Sequence, residues 1–305
     1  MTPPLGRRQF LAATGTASAL ALAGTETADA ATGAARAAAT VVRPFPLTAV
    51  TLLDSPFRDN QRRNSAYLRF VDLDRLLHTF RTNVGLSSSA LPCGGWEGPS
   101  VELRGHSTGH LLSGLALAHA GTGETALRTK GRTLVAELAK CQAASPAAGF
   151  GKGYLSAFPE SFFDRLEAGT GVWAPYYTIH KIMAGLVEQY RLAGNDQALD
   201  VVLRQARWVD ARTAKLSYEQ MQRVLETEFG GMNDVLADLH ALTGDGKWLE
   251  VAERFTHARV FDPLAQGEDR LAGLHANTQI PKMVGALRLW EEGHPERYRT
   301  IAANF

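Results

Sequence analysis

The sequence predicts an all-α fold in which helical hairpins form an α/α toroid, a barrel of the six-hairpin type. Apolar residues recur at helical spacing along most of the chain. One unit occurs four times: a polar or aromatic approach, an apolar helix, a glycine turn and an amphipathic helix. The first helix of each unit is apolar nearly all round, as an inner helix enclosed by neighbours would be. Stacked hairpins could also form an open solenoid. The long loops before each first helix favour the toroid, because a ring gathers them at one end.

The first thirty residues predict an export signal. Arg7 and Arg8 precede a mild, Ala-rich apolar run, and the small residues at 28–30 match a cleavage pattern. This pattern is typical of twin-arginine export to the extracellular or cell-surface side. The segment is too short and too Ala-rich for a membrane anchor. Residues 31–43 are predicted to be a flexible linker, and residues 44–305 the folded domain.

Composition excludes several classes of partner and site. A hydrophobic content of 45% and a net charge of +1 describe an ordinary globular protein. No basic stripe is present, so nucleic acid is not an expected partner. Cys93 and Cys141 are far apart and form neither a disulfide framework nor a metal motif, although they could pair in an oxidising compartment.

Before the repeats, residues 41–57 predict an extended arm, and residues 58–83 one long helix or two with a break. The four hairpin turns are at residues 121–124, 194–196, 244–246 and 293–295. The second helices are predicted to run to about residues 142, 212, 260 and 305. These helices number fewer than the roughly twelve of a closed six-hairpin ring, and the last one has no cap. We therefore expect the toroid to be incomplete and the chain to be a piece of a longer protein.

The loops before the inner helices predict a carbohydrate site. They carry aromatic rings that stack on apolar sugar faces, and imidazoles and amides that bind hydroxyls. The candidate substrate-binding residues are His180, His106, His110, His275, Asn277, Trp96, Tyr154, Trp173 and Tyr177. The spacing of His106 and His110 also allows a metal pair, but no third ligand has an obvious spacing. For most of these residues a structural role in the core is the alternative.

Five carboxylates are placed to reach the same end of the toroid. They are Glu97, Glu102, Glu160, Asp164 and Glu167. A glycosidase needs a proton donor together with a nucleophile or a base, and Glu97 with Glu160 is the fallback pair. Each carboxylate could instead cap a helix or face solvent. The remaining histidines lie on helix bodies or turns and receive no role: His78, His119, His240, His257 and His294.

Six motifs in order closely resemble the β-L-arabinofuranosidase family, glycoside hydrolase family 127 and its relatives. They are residues 94–99, 102–110, 153–159, 173–181, 228–234 and 274–282, and the resemblance runs from about residue 45 to residue 305. It implies an α/α-barrel catalytic domain. It also implies a retaining mechanism in which a zinc-bound cysteine thiolate attacks the anomeric carbon and a glutamate acts as acid/base.

The resemblance implies sugar contact for His180 above all, and more weakly for His106, His110, His275 and Asn277. The family's cysteines, zinc ligands and acid/base glutamate follow the last of the six motifs, and neither cysteine of this chain matches them. We therefore expect no metal within this chain, with zinc implied for the full-length protein.

Three hypotheses follow from the sequence. The first is an exported glycoside hydrolase acting on L-arabinofuranose-containing plant oligosaccharides or polysaccharides, of which this chain holds part of the sugar pocket without the cleaving groups. The second is a two-carboxylate glycosidase or a sugar epimerase that is complete within the chain. The third is a non-catalytic sugar-binding helical toroid.

Overall fold

The computed structural model describes residues 45–305, which form thirteen α-helices and two 3-10 turns and contain no β-strand. The helices are α1 (Pro56–Phe70), α2 (Leu73–Asn83), α3 (His106–Thr122), α4 (Thr125–Ala144), α5 (Ser161–Glu167), α6 (Pro175–Ala193), α7 (Asp196–Thr213), α8 (Tyr218–Leu225), α9 (Met232–Thr243), α10 (Lys247–Glu253), α11 (Ala258–Ala265), α12 (Ala276–Glu291) and α13 (Arg297–Asn304). The 3-10 turns are Leu47–Ala49 and Gly95–Glu97. The predicted export signal and linker lie outside the described residues.

The segment predicted as one helix or two consists of two, α1 and α2. Ser55 caps α1 by accepting a hydrogen bond from the N–H of Arg58, and Pro56 is the first helical residue. The Asp72 carboxylate caps α2, accepting from the N–H of Asp74 at 2.8 Å. The first helix ends at Phe70 with Val71 as its C-cap, and Asp72, in extended backbone, starts the next. The arm before α1 is exposed, with one 3-10 turn near α3.

The repeated hairpins form two layers, which confirms the predicted all-α toroidal architecture. The inner helices are neighbours in chain order: α3 packs against α6, α6 against α9, and α9 against α12. Each inner helix is followed by an outer helix, and α4, α7 and α10 contact one another in order. Because the inner helices begin at the same end of the toroid, the loops that precede them converge there.

Glycines end the inner helices, as the turn pattern predicts. Gly123, Gly194, Gly244 and Gly293 have φ values of 73, 61, 72 and 99°, in the left-handed region that favours glycine. The C-terminal ends of α3 and α9 make equivalent hydrogen bonds. In each, the glycine N–H donates at 2.8 Å to the carbonyl of a histidine, His119 or His240. The Nδ1 of that histidine lies 3.1 or 3.2 Å from the carbonyl oxygen of the residue after the glycine. The hairpins are therefore structural repeats.

The third hairpin departs from the prediction. Its second helix, expected to run unbroken to about residue 260, is interrupted between α10 and α11. The Gln222 side chain of α8 binds both sides of the break. Its Nε2 donates to the carbonyl of Thr256 at 3.0 Å, and its Oε1 accepts from the N–H of Ala258 at 2.9 Å. These bonds replace those that a continuous helix would make.

None of the helices in residues 45–305 is long and apolar enough to cross a membrane. A single cluster of buried apolar side chains extends through both layers, from Leu68 on α1 to Ile301 on α13.

Candidate functional site

The carboxylate of Glu97 caps the start of α3. Its oxygens accept hydrogen bonds from the main-chain N–H groups of Gly105, at 2.6 Å, and Ser107, at 2.8 Å. It also lies 2.8 Å from Nδ1 of His106, and the Leu103 carbonyl lies 2.9 Å from the same nitrogen. Since both neighbours are acceptors, Nδ1 carries the proton and Nε2 is left as an acceptor. Burial raises the pKa of Glu97, but the hydrogen bonds it accepts, above all that from His106, lower it by more. Glu97 is thus ionised and orients His106.

Aromatic rings lie in a chain from the surface to the start of α6. Trp96 and Trp173 are 64% and 45% exposed and meet edge to face, with centroids 6.2 Å apart. The His106 ring lies 6.0 Å from Trp96 and 6.3 Å from Tyr177. It is also 6.0 Å from His110, one turn further along α3. Two exposed indoles therefore stand beside imidazoles and a phenol. We call Trp96, His106, His110, Trp173, Tyr177 and His180 the aromatic–histidine cluster.

Glu102 holds Trp173 in place. One of its oxygens accepts from the N–H of Trp173 at 2.7 Å, and the other from Nη1 of Arg165 at 2.6 Å. The next residue, Ala174, has a φ of 47° and is the one non-glycine residue in the described range with positive φ. Pro175 then starts α6. This strained turn and the Glu102 carboxylate fix the direction in which Trp173 projects.

His180 is buried in the second turn of α6. Its Nδ1 accepts a hydrogen bond from the N–H of Gly231 at 3.2 Å, so Nε2 carries the proton in the neutral ring. A Cβ atom at Gly230 would lie 2.6 Å from Nδ1 and 3.4 Å from Cδ2 of Tyr177, so only glycine fits there. Burial lowers the pKa of His180 to about 3, with smaller effects of Lys181 and His110. The ring is therefore a neutral N–H donor near neutral pH.

Two charged side chains border the cluster. The Lys181 ammonium lies 4.9 Å from the centroid of the Tyr177 ring. Burial lowers the pKa of Lys181, and the nearby Glu228 carboxylate raises it. Burial raises the pKa of Tyr177, and the charge of Glu228 raises it further. Burial also lowers the pKa of His110, with further lowering by Lys181. Burial thus disfavours the charged forms of His110 and His180, and Lys181 and Glu228 lie beside them.

The two candidates on α12 lie at its exposed start. His275 precedes the first helical residue and lines a cavity of about 230 Å³, which Glu228, Thr278, Gln279 and Lys282 also line. Asn277 is exposed on the first turn and does not line that cavity.

The structure corrects the assignment of Tyr154 to the sugar site. Tyr154 has no exposed surface, and its hydroxyl donates to the Phe158 carbonyl at 2.7 Å. Its ring lies 4.9 Å from that of Trp208. A side chain enclosed in this way stabilises the core and offers no face to a ligand.

The structure also corrects the fallback pair of Glu97 and Glu160. Glu160 accepts from the Trp208 indole N–H at 2.8 Å and from the N–H of Gly151 at 2.6 Å. The Arg212 guanidinium of α7 lies 3.3 Å from it, and the same guanidinium also binds Asp164 and Glu167. Glu160 therefore belongs to an ion-pair network, while Glu97 caps α3.

The described residues do not fit the zinc–thiolate site that the resemblance implies. Within residues 45–305, no three His, Cys, Asp or Glu side chains are placed to hold a metal ion. Cys93 and Cys141 are both free thiols. Cys141 is buried, which raises its pKa to about 11, the opposite of what an activated thiolate requires. No step of the chemistry is therefore assigned to a metal here.

Sequence reasoning missed four residues at this end of the toroid: Lys181, Glu228, Lys282 and His257. The first three lie within the motifs at residues 173–181, 228–234 and 274–282. Their charged side chains in these motifs could have identified them as site residues. His257 was given no role, because no sequence pattern connects it to Lys282, whose amine it meets.

Comparison with known proteins agrees with this architecture. The family described as β-L-arabinofuranosidase, GH127 catalytic domain, matches residues 49–305. A solved structure described as a GH127 β-arabinofuranosidase has a similar fold, with a TM-score of 0.56 at 16% identity, over 86% of this chain and 42% of that one. The chain thus spans less than half of that protein's length. No curated protein sequence matches the chain significantly. Since the family match extends over most of the sequence, the chain belongs to the GH127 β-L-arabinofuranosidase catalytic-domain family.

Proposed function

We propose that this chain binds L-arabinofuranose units of plant glycans as the sugar-binding part of an exported glycoside hydrolase of the β-L-arabinofuranosidase type. The observation that carries the proposal is the aromatic–histidine cluster at the start of α3 and α6. Its exposed Trp96 and Trp173 supply apolar faces for a furanose ring.

The tautomers within the cluster suit hydroxyl groups. His106 carries its proton on Nδ1 and leaves Nε2 as an acceptor, whereas His180 carries its proton on Nε2 as a donor. A hydroxyl both donates and accepts, so it can bind either ring. Because the His180 ring is neutral near neutral pH, it attracts neither anions nor cations to the cluster.

The residues described are better suited to holding a sugar than to cleaving its glycosidic bond. Cleavage needs a proton donor and a nucleophile or base on the two sides of that bond. Glu97 and Glu160 are both occupied by hydrogen bonds that fix local structure. We therefore assign the cleaving groups, and the zinc implied by the family, to the full-length protein and not to this chain.

The binding test is titration of the purified chain with methyl β-L-arabinofuranoside, with the α anomer as the comparison ligand. We expect His110→Ala to weaken binding at least about tenfold, the loss of one to two hydrogen bonds. His119→Ala, at the other end of the same helix, should bind like the wild type. Equal binding by the two variants, or no binding by the wild type, contradicts the proposal.

The cleavage test uses an aryl β-L-arabinofuranoside, and we expect no turnover by the chain alone. Turnover that Glu97→Gln abolishes would establish the two-carboxylate alternative. Export is tested separately by fusing residues 1–43 to a reporter that is active only after twin-arginine transport. Replacing Arg7 and Arg8 by Lys should abolish its export.

A further inference from the structure

A buried lysine on α12 is held by a histidine and a glutamate. Lys282 is 1% exposed, and its Nζ lies 2.9 Å from Nδ1 of His257. An ammonium group only donates, so Nδ1 accepts and the ring proton is on Nε2. That nitrogen lies 3.3 Å from an oxygen of Glu226. Amine, imidazole and carboxylate thus form one hydrogen-bonded row, the arrangement in which a nucleophile is paired with a base that a third group orients.

Burial shifts this lysine toward its neutral form. It lowers the pKa of Lys282 to about 8, although the carboxylates of Glu226 and Glu228 act in the opposite direction. The charge of Arg259 adds a smaller lowering. Since an ordinary lysine has a pKa of about 10.4, the neutral amine is about two orders of magnitude more abundant here near neutral pH. Burial also lowers the pKa of His257 to about 4, so its Nδ1 remains a proton acceptor.

The amine borders a cavity that can admit a small molecule. The cavity has a volume of about 230 Å³, and Lys282, Glu228 and Gln279 are among its lining residues. Oε1 of Glu228 and Oε1 of Gln279 are buried and have no hydrogen-bond partner within residues 45–305. Leaving buried acceptors unpaired costs free energy, so the cavity favours a group that brings N–H or O–H donors next to the amine.

We propose that Lys282 is a nucleophilic lysine that forms a Schiff base with small, neutral aldehydes entering this cavity. The lone pair of the neutral amine forms a C–N bond to the carbonyl carbon, and the C=O π pair moves onto the oxygen. His257 accepts a proton from the positively charged nitrogen and returns it to that oxygen, which gives a neutral carbinolamine. The C–O bond then breaks, and the oxygen leaves as water with one proton from solvent. An iminium ion remains.

The surroundings of Nζ suit each species on this route. The carbinolamine hydroxyl can donate to Oε1 of Gln279, and the iminium N–H to Oε1 of Glu228. The centroid of the Phe229 ring lies 4.7 Å from Nζ and favours a cation there. Overall, ammonium and aldehyde become iminium and water, without oxidation or reduction.

The charges around the cavity select the class of aldehyde. Glu226 and Glu228 lie close enough to act on Lys282, and they disfavour an anionic compound beside it. At about 30 Å³ per water, the cavity has room for roughly seven waters, so a compound of a few non-hydrogen atoms fits. The reaction needs no sugar ring and does not depend on the proposed function.

Reductive trapping of the purified chain tests the proposal. Propanal is added with cyanoborohydride, which reduces the iminium to a stable secondary amine, and peptide mapping by mass spectrometry gives the rate at each lysine. At pH 7, Lys282 should be labelled at least about tenfold faster than Lys215, which is exposed. Its rate should rise with pH and level off above about pH 8. Labelling of Lys282 no faster than that of Lys215 overturns the proposal.

A variant separates the action of the base from burial alone. His257→Gln places an amide where the basic nitrogen was, so the rate at Lys282 above pH 8 should fall at least about tenfold. His119→Gln, near the C-terminal end of α3, is the matched control and should react like the wild type. Glu226→Gln, which leaves the imidazole unoriented, serves if His257→Gln does not fold. An unchanged rate at Lys282 in a folded variant overturns the proposal.

A second aldehyde tests the choice of ligand class. The ratio of labelling at Lys282 to labelling at Lys215 should be lower with glyoxylate, an anion, than with propanal. Using the ratio removes the difference in intrinsic reactivity between the two aldehydes. A ratio as high with glyoxylate as with propanal overturns the assignment of neutral aldehydes.

Discussion

At the scale of single residues, Glu97 has a structural role, although the sequence alone allowed it to be a catalytic carboxylate. It satisfies two N–H groups at the start of α3 and the Nδ1–H of His106. In Glu97→Gln one acceptor becomes an NH₂ group that faces donors. We expect a loss of about 1–3 kcal/mol in the free energy of unfolding, since buried N–H groups lose their partner. Chemical denaturation measures it.

Glu268→Gln is the control for this change, because Glu268 is exposed and binds only its neighbour Arg270. Its effect should stay within about 0.5 kcal/mol. A Glu97→Gln variant as stable as the control would show that the carboxylate has no capping role.

Tyr154 and Trp173 show what the sequence could not settle at this scale. Both are aromatic residues in recognised motifs, yet one is enclosed in the core and the other is 45% exposed. The difference comes from Trp208 on α7, which covers Tyr154, and from Glu102, which holds Trp173 outward. These partners lie far along the chain, so no local pattern reveals them.

At the scale of elements, the contact between α3 and α6 depends on two glycines. A Cβ atom at Gly109 would lie 2.2 Å from the Lys181 carbonyl carbon, and one at Gly185 would lie 2.5 Å from the Gly109 carbonyl oxygen. Backbone cannot yield as a flexible side chain can. Gly109→Ala should therefore force the helices apart and cost about 3 kcal/mol or more. Thermal and urea unfolding measure the loss.

Gly121→Ala in the same helix is the matched control. Its Cβ would meet only the end of the Gln61 side chain at 3.7 Å. The helix propensity of alanine should make it neutral or stabilising, by up to about 1 kcal/mol. If both variants lose the same stability, close packing of α3 on α6 is not the cause.

The break between α10 and α11 gives a second prediction at this scale. Gln222 supplies two hydrogen bonds to main-chain groups at the break. Gln222→Ala removes both, so unfolding should require about 1–3 kcal/mol less. Gln197→Ala, at an exposed position of α7, should change stability by less than about 0.5 kcal/mol. Faster hydrogen exchange at residues 254–258 in the first variant alone would locate the effect.

This break also explains why the third hairpin was predicted incorrectly. The apolar spacing of residues 248–260 permits an unbroken helix, and the residue that interrupts it lies on α8, more than thirty positions away from Ala258. The breaks that the sequence did place, at the glycine turns, are local caps. Local chemistry is visible in the sequence, whereas capping from a distant element is not.

At the scale of the whole molecule, the repeat decides the fold. Four glycine turns and four enclosed helices suffice to predict two layers, because each hairpin can bury its apolar face only against its neighbours. The same repeat predicts that the loops converge at one end, where the structure does bring Trp96, His106 and Tyr177 together. Which side chains point inward there depends on loop packing, and periodicity carries no information about that.

The stability of the molecule should fall on mild acidification because buried histidines must become charged. Burial lowers the pKa of His180 to about 3 and that of His257 to about 4, against about 6.5 in the unfolded chain. Below pH 6.5 the unfolded state binds more protons than the folded state. The stability from these neutral rings is therefore complete above pH 6.5 and is lost as the pH falls, by up to about 1.4 kcal/mol per unit for each ring.

One half-buried carboxyl, that of Asp234, opposes this loss of stability. Burial, with the nearby Asp238, raises the pKa of Asp234 to about 6, so between about pH 6 and 4 its folded form takes up the proton first and gains stability. The two single variants should therefore change the pH dependence in opposite directions. His257→Gln should flatten the loss of stability between pH 6 and 4.5, and Asp234→Asn should steepen it, each by about 1 kcal/mol per pH unit. Urea unfolding at several pH values measures both slopes. Parallel slopes for the two variants and the wild type would show that neither group titrates differently in the folded protein.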